Sequence, residues 1–142
     1  MSPPELEEAK LLLRKAREDA SAVERLASDD EIADSVVGFH AQQAAEKAMK
    51  AVLAARGDEF PWTHDLSYLI ERLDAIGMRL PGELREVRRL APWAVEFRYG
   101  ETIDDLLDRP QARALTREVI EWAAASLDLA AGAQSEGSVT AG

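Results

Sequence analysis

Apolar residues recur every three or four positions along most of this 142-residue chain, which is the spacing of one helix face. The first run follows Ser2-Pro3-Pro4-Glu5, a capping-box pattern with proline at the first helical position. Its apolar positions have heptad-like spacing: Leu6, Ala9, Leu13, Ala16, Ala20, Val23 and Ala27. This pattern predicts a long first helix, whose apolar seam belongs either to the core or to a dimer contact.

Two different surfaces share the predicted second helix, which begins at the capping pattern Ser28-Asp29-Asp30-Glu31 and ends at Gly57. One arc carries small apolar side chains: Val37, Ala41, Ala44, Ala45, Ala48, Val52 and Ala55. A second arc carries polar side chains: His40, Gln43, Lys47 and Lys50. Because alanines allow a neighbouring helix to approach closely, they would hold the polar arc rigidly, as a binding site requires.

Three further helices are predicted after this one. Thr63 can cap a short third helix that Gly77 ends, and Pro81 opens a fourth. Pro92 lies inside the fourth pattern and predicts a kink or break near Leu90. Asp108, followed by Pro110, starts a fifth helix. No segment alternates as a strand, so the sequence predicts an all-α, antiparallel up-and-down bundle of four to five helices.

The length fits one domain, which we predict to span residues 1–131. From residue 132 to residue 142, Gly, Ala, Ser and Gln replace the apolar periodicity, which predicts a disordered tail. The N-terminus lacks the features of a leader peptide, and no apolar run is long enough for a membrane span. These features predict a soluble, cytoplasmic protein without a membrane partner.

Charge and composition narrow the possible functions. The net charge is −10, from 17 Lys and Arg against 27 Asp and Glu, which argues against coating duplex nucleic acid by phosphate neutralisation alone. The absence of cysteine excludes disulfides and thiolate zinc sites. With only His40 and His64, one chain cannot form a three-histidine metal site, and no metal or cofactor is predicted. Familiar phosphate-loop, nucleophile-elbow and zincin motifs do not occur.

Several polar groups have two possible roles. The pair His64-Asp65 is either a local helix cap or part of a ligand site, and His40 is either half-buried or site-facing. Arginines at i, i+3 and i+4 could grip phosphates or form surface ion pairs: Arg85, Arg88 and Arg89. Arg98-Tyr99, after the predicted break, could hold a phosphate and stack on a base, or form a buried ion-paired contact.

Three segments together resemble the HEPN family, named for a nucleotide-binding domain of higher eukaryotes and prokaryotes. They are Phe39 to Lys50, Thr63-His64-Asp65-Leu66 and Arg98-Tyr99-Gly100. The resemblance extends from about Lys10 to Leu129. It implies a helical bundle that forms a homodimer and a context of nucleotides or RNA. Many such domains are encoded beside a minimal nucleotidyltransferase as a toxin and antitoxin pair.

Many HEPN domains are metal-independent ribonucleases with an arginine and a histidine separated by four to six residues. The corresponding positions before His40 hold Ser35, Asp34 and Ala33, and those before His64 hold Glu59, Asp58 and Gly57. No histidine follows Arg98. The motif is therefore absent, and each missing acid or base group would cost a factor of roughly 10²–10⁴ in rate.

The leading hypothesis is a non-catalytic HEPN-like module that binds a nucleotide, RNA or a nucleotidyltransferase partner. The expected ligand-binding residues are His40, Gln43, Lys47, Lys50, His64, Arg98 and Tyr99. Two alternatives stay open: a degenerate ribonuclease toxin in which His64 of one chain meets Arg98 of another, and a purely structural protein-binding scaffold.

Overall fold

A computed structural model describes residues 3–94 and 106–140 of the chain. Four α-helices are present: α1 (Pro4–Leu26), α2 (Asp34–Ala55), α3 (Leu66–Ala75) and α4 (Arg109–Thr140). A 3₁₀ helix, Gly82–Trp93, lies between α3 and α4. These ranges contain no strand, and the all-α fold predicted from the sequence is confirmed.

The long elements alternate in direction, as an up-and-down bundle requires. The 3₁₀ helix ends with Trp93 beside Gly38, near the start of α2, so it runs back along that helix. Arg109, the first residue of α4, binds Asp34 at the start of α2, so α4 begins at the same end. The antiparallel helices of the bundle are therefore α1, α2, the 3₁₀ helix and α4. Helix α3 packs against α2 and the 3₁₀ helix.

Helix α2 lies at the centre of the bundle. It contacts α1, α3, α4 and the 3₁₀ helix, and its predicted apolar arc is buried from Val37 to Ala55. The seam of α1 is also buried within the chain, with only Ala20 partly exposed: Leu6, Ala9, Leu13, Ala16, Val23 and Ala27. Of the two roles predicted for this seam, the structure therefore assigns it to the core.

Helix α2 starts later than the capping pattern at residues 28–31 predicts. Its N-cap is Ala33, and Asp29 instead accepts a hydrogen bond from the backbone N–H of Glu31 within a local turn. The guanidinium of Arg109 organises this loop by donating to the carbonyls of Leu26, Ala27, Asp29 and Ile32. The carbonyls of Leu26 and Asp29 also accept from backbone N–H groups of the loop, whereas those of Ala27 and Ile32 have no donor but Arg109 among the described residues.

The N-caps of α3 and α4 agree only in part with those predicted from the sequence. Asp65, not Thr63, caps α3, because its carboxylate accepts from the backbone N–H of Tyr68 at 3.1 Å. Asp108 caps α4 as predicted and accepts from the N–H of Gln111 at 2.9 Å. The sequence predicts a kink or a break near Leu90, and the break is wrong, since the segment runs through Leu90 to Trp93 as one 3₁₀ helix.

Helix α4 continues through Gly132 to Thr140, whereas the sequence pattern predicts a disordered tail from residue 132. Loss of apolar periodicity removes the packing face of a helix but does not prevent helical backbone geometry. The segment includes one alanine, one glutamine and one glutamate, which are favourable helix formers.

An ion pair joins the end of α1 to the start of α4. Glu24 accepts from Arg113 at 3.0 Å and from two nitrogens of Arg117. The hydrogen bonds from Arg117, followed by the one from Arg113, lower the pKa of the Glu24 carboxyl from 4.5 to about 2. A folded-state pKa below the unfolded value means that this pair stabilises the fold above about pH 4.5 and loses its effect as the pH falls toward 2.

We therefore expect Glu24→Gln to lower the free energy of unfolding at pH 7 by about 0.5–1 kcal/mol, a small value because solvent screens these partly exposed groups. The difference from the wild type should shrink as the pH falls toward 3. Urea unfolding at pH 7, 5 and 3 measures it. Glu18→Gln is the control, since Glu18 has only an exposed contact with Lys15 on the same helix. A difference that stayed constant with pH would contradict this assignment.

Candidate functional site

The polar arc predicted on α2 divides into two hydrogen-bond networks. The first joins α2 to α1 through Asp19. One carboxylate oxygen of Asp19 contacts His40 Nδ1 at 2.9 Å, and the other accepts from Lys47 Nζ at 2.7 Å. The ring of His40 also meets Phe39 edge to face. His40 and Lys47 therefore hold two helices together.

The second network is centred on Glu46, a carboxylate that is only 3% exposed. Its Oε1 accepts from Gln42 Nε2 at 3.0 Å and contacts His64 Nδ1 at 2.7 Å. Its Oε2 accepts from Lys50 Nζ at 3.1 Å. Gln43 joins the network by donating to Gln42 at 2.7 Å. Burial of a carboxylate is costly unless its oxygens are paired, and these donors supply the pairing.

His64 is the only member of the Glu46 network with a largely solvent-facing side chain, which is 45% exposed. Because a carboxylate oxygen can only accept, the contact with Glu46 requires a proton on His64 Nδ1. In the neutral imidazole, Nε2 is then a hydrogen-bond acceptor. Nε2 makes no hydrogen bond to any described residue. The ring of Trp62 meets the His64 ring edge to face, with centroids 4.4 Å apart.

These contacts change the predicted character of the polar arc. Gln43 and Lys50 are buried rather than wet, because the loop before α3 brings His64 over this side of α2. Lys47 and Lys50 are each paired with a carboxylate. The structure therefore unites Gln43, Lys50 and His64 but places His40 and Lys47 in a separate network. Neither lysine offers an unbalanced positive charge for a phosphate.

The three arginines predicted to share one helical face are ion-paired. Arg85 donates two hydrogen bonds to Asp74, and these bonds hold the pKa of the Asp74 carboxyl below its usual range. Arg89 and Arg88 both approach the carboxylate of Glu86. In a 3₁₀ helix residues three apart align, so residues 86 and 89 meet. Of the two roles predicted for these arginines, the structure therefore shows surface ion pairs.

Arg98 and Tyr99, which the sequence also nominates, lie outside the described residues. Within residues 3–94 and 106–140, no cluster of three or more His, Asp or Glu side chains has the arrangement of a metal site. None of the helices in these ranges combines the length and the apolar character needed to cross a membrane.

Sequence reasoning missed three residues that define these networks: Asp19, Glu46 and Trp62. A signal for Glu46 was present, since Gln42, Glu46 and Lys50 form an i, i+4, i+8 polar ladder inside an alanine-rich helix. No local signal points to Asp19 or Trp62. Each lies on another element, and only the packing of the bundle brings it to His40 or His64.

Comparison with known proteins identifies the family. A family profile described as the HEPN domain matches residues 9–127. The chain belongs to the HEPN domain family. Both networks on α2 lie inside the matched range, from Asp19 to His64. Membership in the HEPN family supports a module related to nucleotides or RNA. No curated protein and no solved structure matches this chain.

Proposed function

We propose that this HEPN domain is a non-catalytic module that binds a nucleotide or RNA. The observation that supports this most is the solvent-facing His64, fixed by a 2.7 Å contact to buried Glu46 and flanked by Trp62. A polar group held in place before the ligand arrives loses little side-chain entropy on binding. The non-catalytic reading follows from the missing spacing of arginine and histidine.

The protein partners proposed for the module are a second copy of this chain and a minimal nucleotidyltransferase, as in toxin and antitoxin pairs. This part of the proposal extends to this chain a context in which many HEPN domains occur. Mass measurement in solution tests the homodimer. Co-purification with a nucleotidyltransferase encoded beside the gene tests the partner. A monomer that captured no such enzyme would overturn this part of the proposal.

Ligand binding is tested by titrating the purified protein with adenine and uracil nucleotides and with short single-stranded RNAs. A ligand that binds only the folded state raises its melting temperature by mass action. We expect a dose-dependent rise that His64→Gln reduces. His40→Gln is the matched control, because His40 also contacts a carboxylate but belongs to the Asp19 network. Absence of any shift and of any binding heat in calorimetry would overturn the proposal.

A second candidate, a degenerate ribonuclease, is favoured by one observation. Glu46 contacts Nδ1 of the partly exposed His64, which is how a carboxylate positions a histidine as a general base through its other ring nitrogen. The same RNA samples, incubated and separated by length, test this candidate. Cleavage that His64→Gln abolishes and His40→Gln leaves intact would support it and contradict the non-catalytic reading.

A further inference from the structure

Trp62 has an unusual position for a large aromatic residue. It is 81% exposed, while the other tryptophans in the described ranges, Trp93 and Trp122, are buried or partly buried. Trp62 precedes α3 and contacts the ring of His64, so it lies beside the most exposed side chain of the Glu46 network. An exposed indole beside a fixed imidazole combines an apolar stacking surface with a hydrogen-bonding atom.

The charge around this pair disfavours recognition of phosphate. The connection from residue 56 to residue 65 carries Arg56 against three acids: Asp58, Glu59 and Asp65. Arg72 on α3 pairs with Asp58 at 2.9 Å, so these side chains together still have one more acid than cation. Lys50, the buried cation behind His64, is balanced by Glu46. A ligand that binds here gains little from its negative groups. Its uncharged part must therefore supply the recognition.

We propose that Trp62 and His64 form a binding site for a nucleobase that carries an exocyclic amino group. The base stacks on the indole of Trp62, and its amino group donates a hydrogen bond to His64 Nε2. Glu46 is a positioning residue, because its contact with Nδ1 leaves Nε2 as the acceptor. This inference rests on the proposed binding of nucleotides or RNA and adds the place and the chemistry of recognition.

The probes are adenosine and purine riboside, which differ only in the 6-amino group, together with a hexamer of adenylate. Intrinsic fluorescence follows binding, because stacking on the exposed Trp62 changes its emission. We expect adenosine to bind at least about fivefold more tightly than purine riboside, the value of one hydrogen bond. Equal affinity for the two nucleosides would overturn the assigned role of His64.

Two variants separate the contributions. Trp62→Leu should weaken adenosine binding by at least about fivefold and remove the fluorescence change, since base stacking is of that size. Trp122→Phe is the matched control, because Trp122 packs against the core. His64→Phe keeps a ring beside Trp62 but lacks the acceptor. It should abolish the preference for adenosine over purine riboside, a ratio that a general loss of stability would leave unchanged.

The results also separate this inference from the proposed function. If nucleotides or RNA bind and the Trp62→Leu variant binds them as tightly as the wild type, the site is wrong and the proposed function stands. If no nucleoside, nucleotide or RNA binds, both fail. If the adenylate hexamer binds more tightly than adenosine when affinities are compared per base, the ligand is single-stranded RNA. Equal binding identifies a free nucleoside or nucleotide.

Discussion

Glu46→Gln should lower the free energy of unfolding by about 3–5 kcal/mol, the usual cost of leaving a buried charge without its partner. The two oxygens of Glu46 accept hydrogen bonds from three side chains: Gln42, Lys50 and His64. A glutamine side chain replaces one oxygen with an NH₂ group. Whichever way the amide lies, a donor then faces another donor, and the ammonium of Lys50 loses its counter-charge.

Urea unfolding monitored by circular dichroism measures this loss. Glu71→Gln is the matched control, since Glu71 is exposed on α3 and should change the free energy of unfolding by less than about 0.5 kcal/mol. The double variant Glu46→Gln, Lys50→Met should recover part of the loss, because it removes the unpaired ammonium. A single variant as stable as the Glu71→Gln control would show that the Glu46 network contributes no stability.

Gly38→Ala should lower the free energy of unfolding by about 2 kcal/mol, although alanine is the better helix former. A Cβ atom at this position would lie 2.5 Å from Cδ2 of Trp93 and 2.7 Å from Cγ and Cε3. Trp93 is buried, so its ring cannot swing away without disturbing the packing between α2 and the 3₁₀ helix. Overpacking of this kind costs about 1–3 kcal/mol, which exceeds the gain of up to about 1 kcal/mol in helix propensity.

The same substitution at Gly132 provides an internal control. Gly132 also lies in a helix, but a Cβ there would meet nothing within 4 Å. Gly132→Ala should therefore be neutral or stabilise the domain by up to about 1 kcal/mol. Thermal and urea unfolding of the two variants give the comparison. If both variants changed stability in the same direction, the close approach of α2 and Trp93 would not be the reason for glycine at position 38.

The number of helices could be predicted from the sequence, because each buried stripe repeats with the helical period. The 3₁₀ geometry of Gly82–Trp93 could not. The alanine arc of α2 and the cap at Asp108 illustrate this, since each depends on residues within one or two turns. The start of α2 could not be predicted. The capping pattern at residues 28–31 is locally plausible, but Arg109 binds the carbonyls of that loop from another part of the chain.

Only the part of the candidate site that lies on α2 could be predicted from the sequence. The polar arc identified His40, Lys47 and Lys50, yet the partners that divide the arc come from elsewhere: Asp19 on α1 and the loop that holds His64. Whether a lysine is free or neutralised depends on such long-range partners. A helical-wheel argument contains no information about them.

Arg109 has a consequence for how this domain can tolerate changes in chain length. Surface loops usually accept inserted residues, because few contacts fix their backbone. The loop between α1 and α2 differs, since one guanidinium binds several of its carbonyls and lies at least 77 residues further along the chain. An inserted residue would move carbonyls out of reach of Arg109 and would leave those of Ala27 and Ile32, which have no other donor among the described residues, without a partner. This short connection is therefore as restricted in length as a segment of the core.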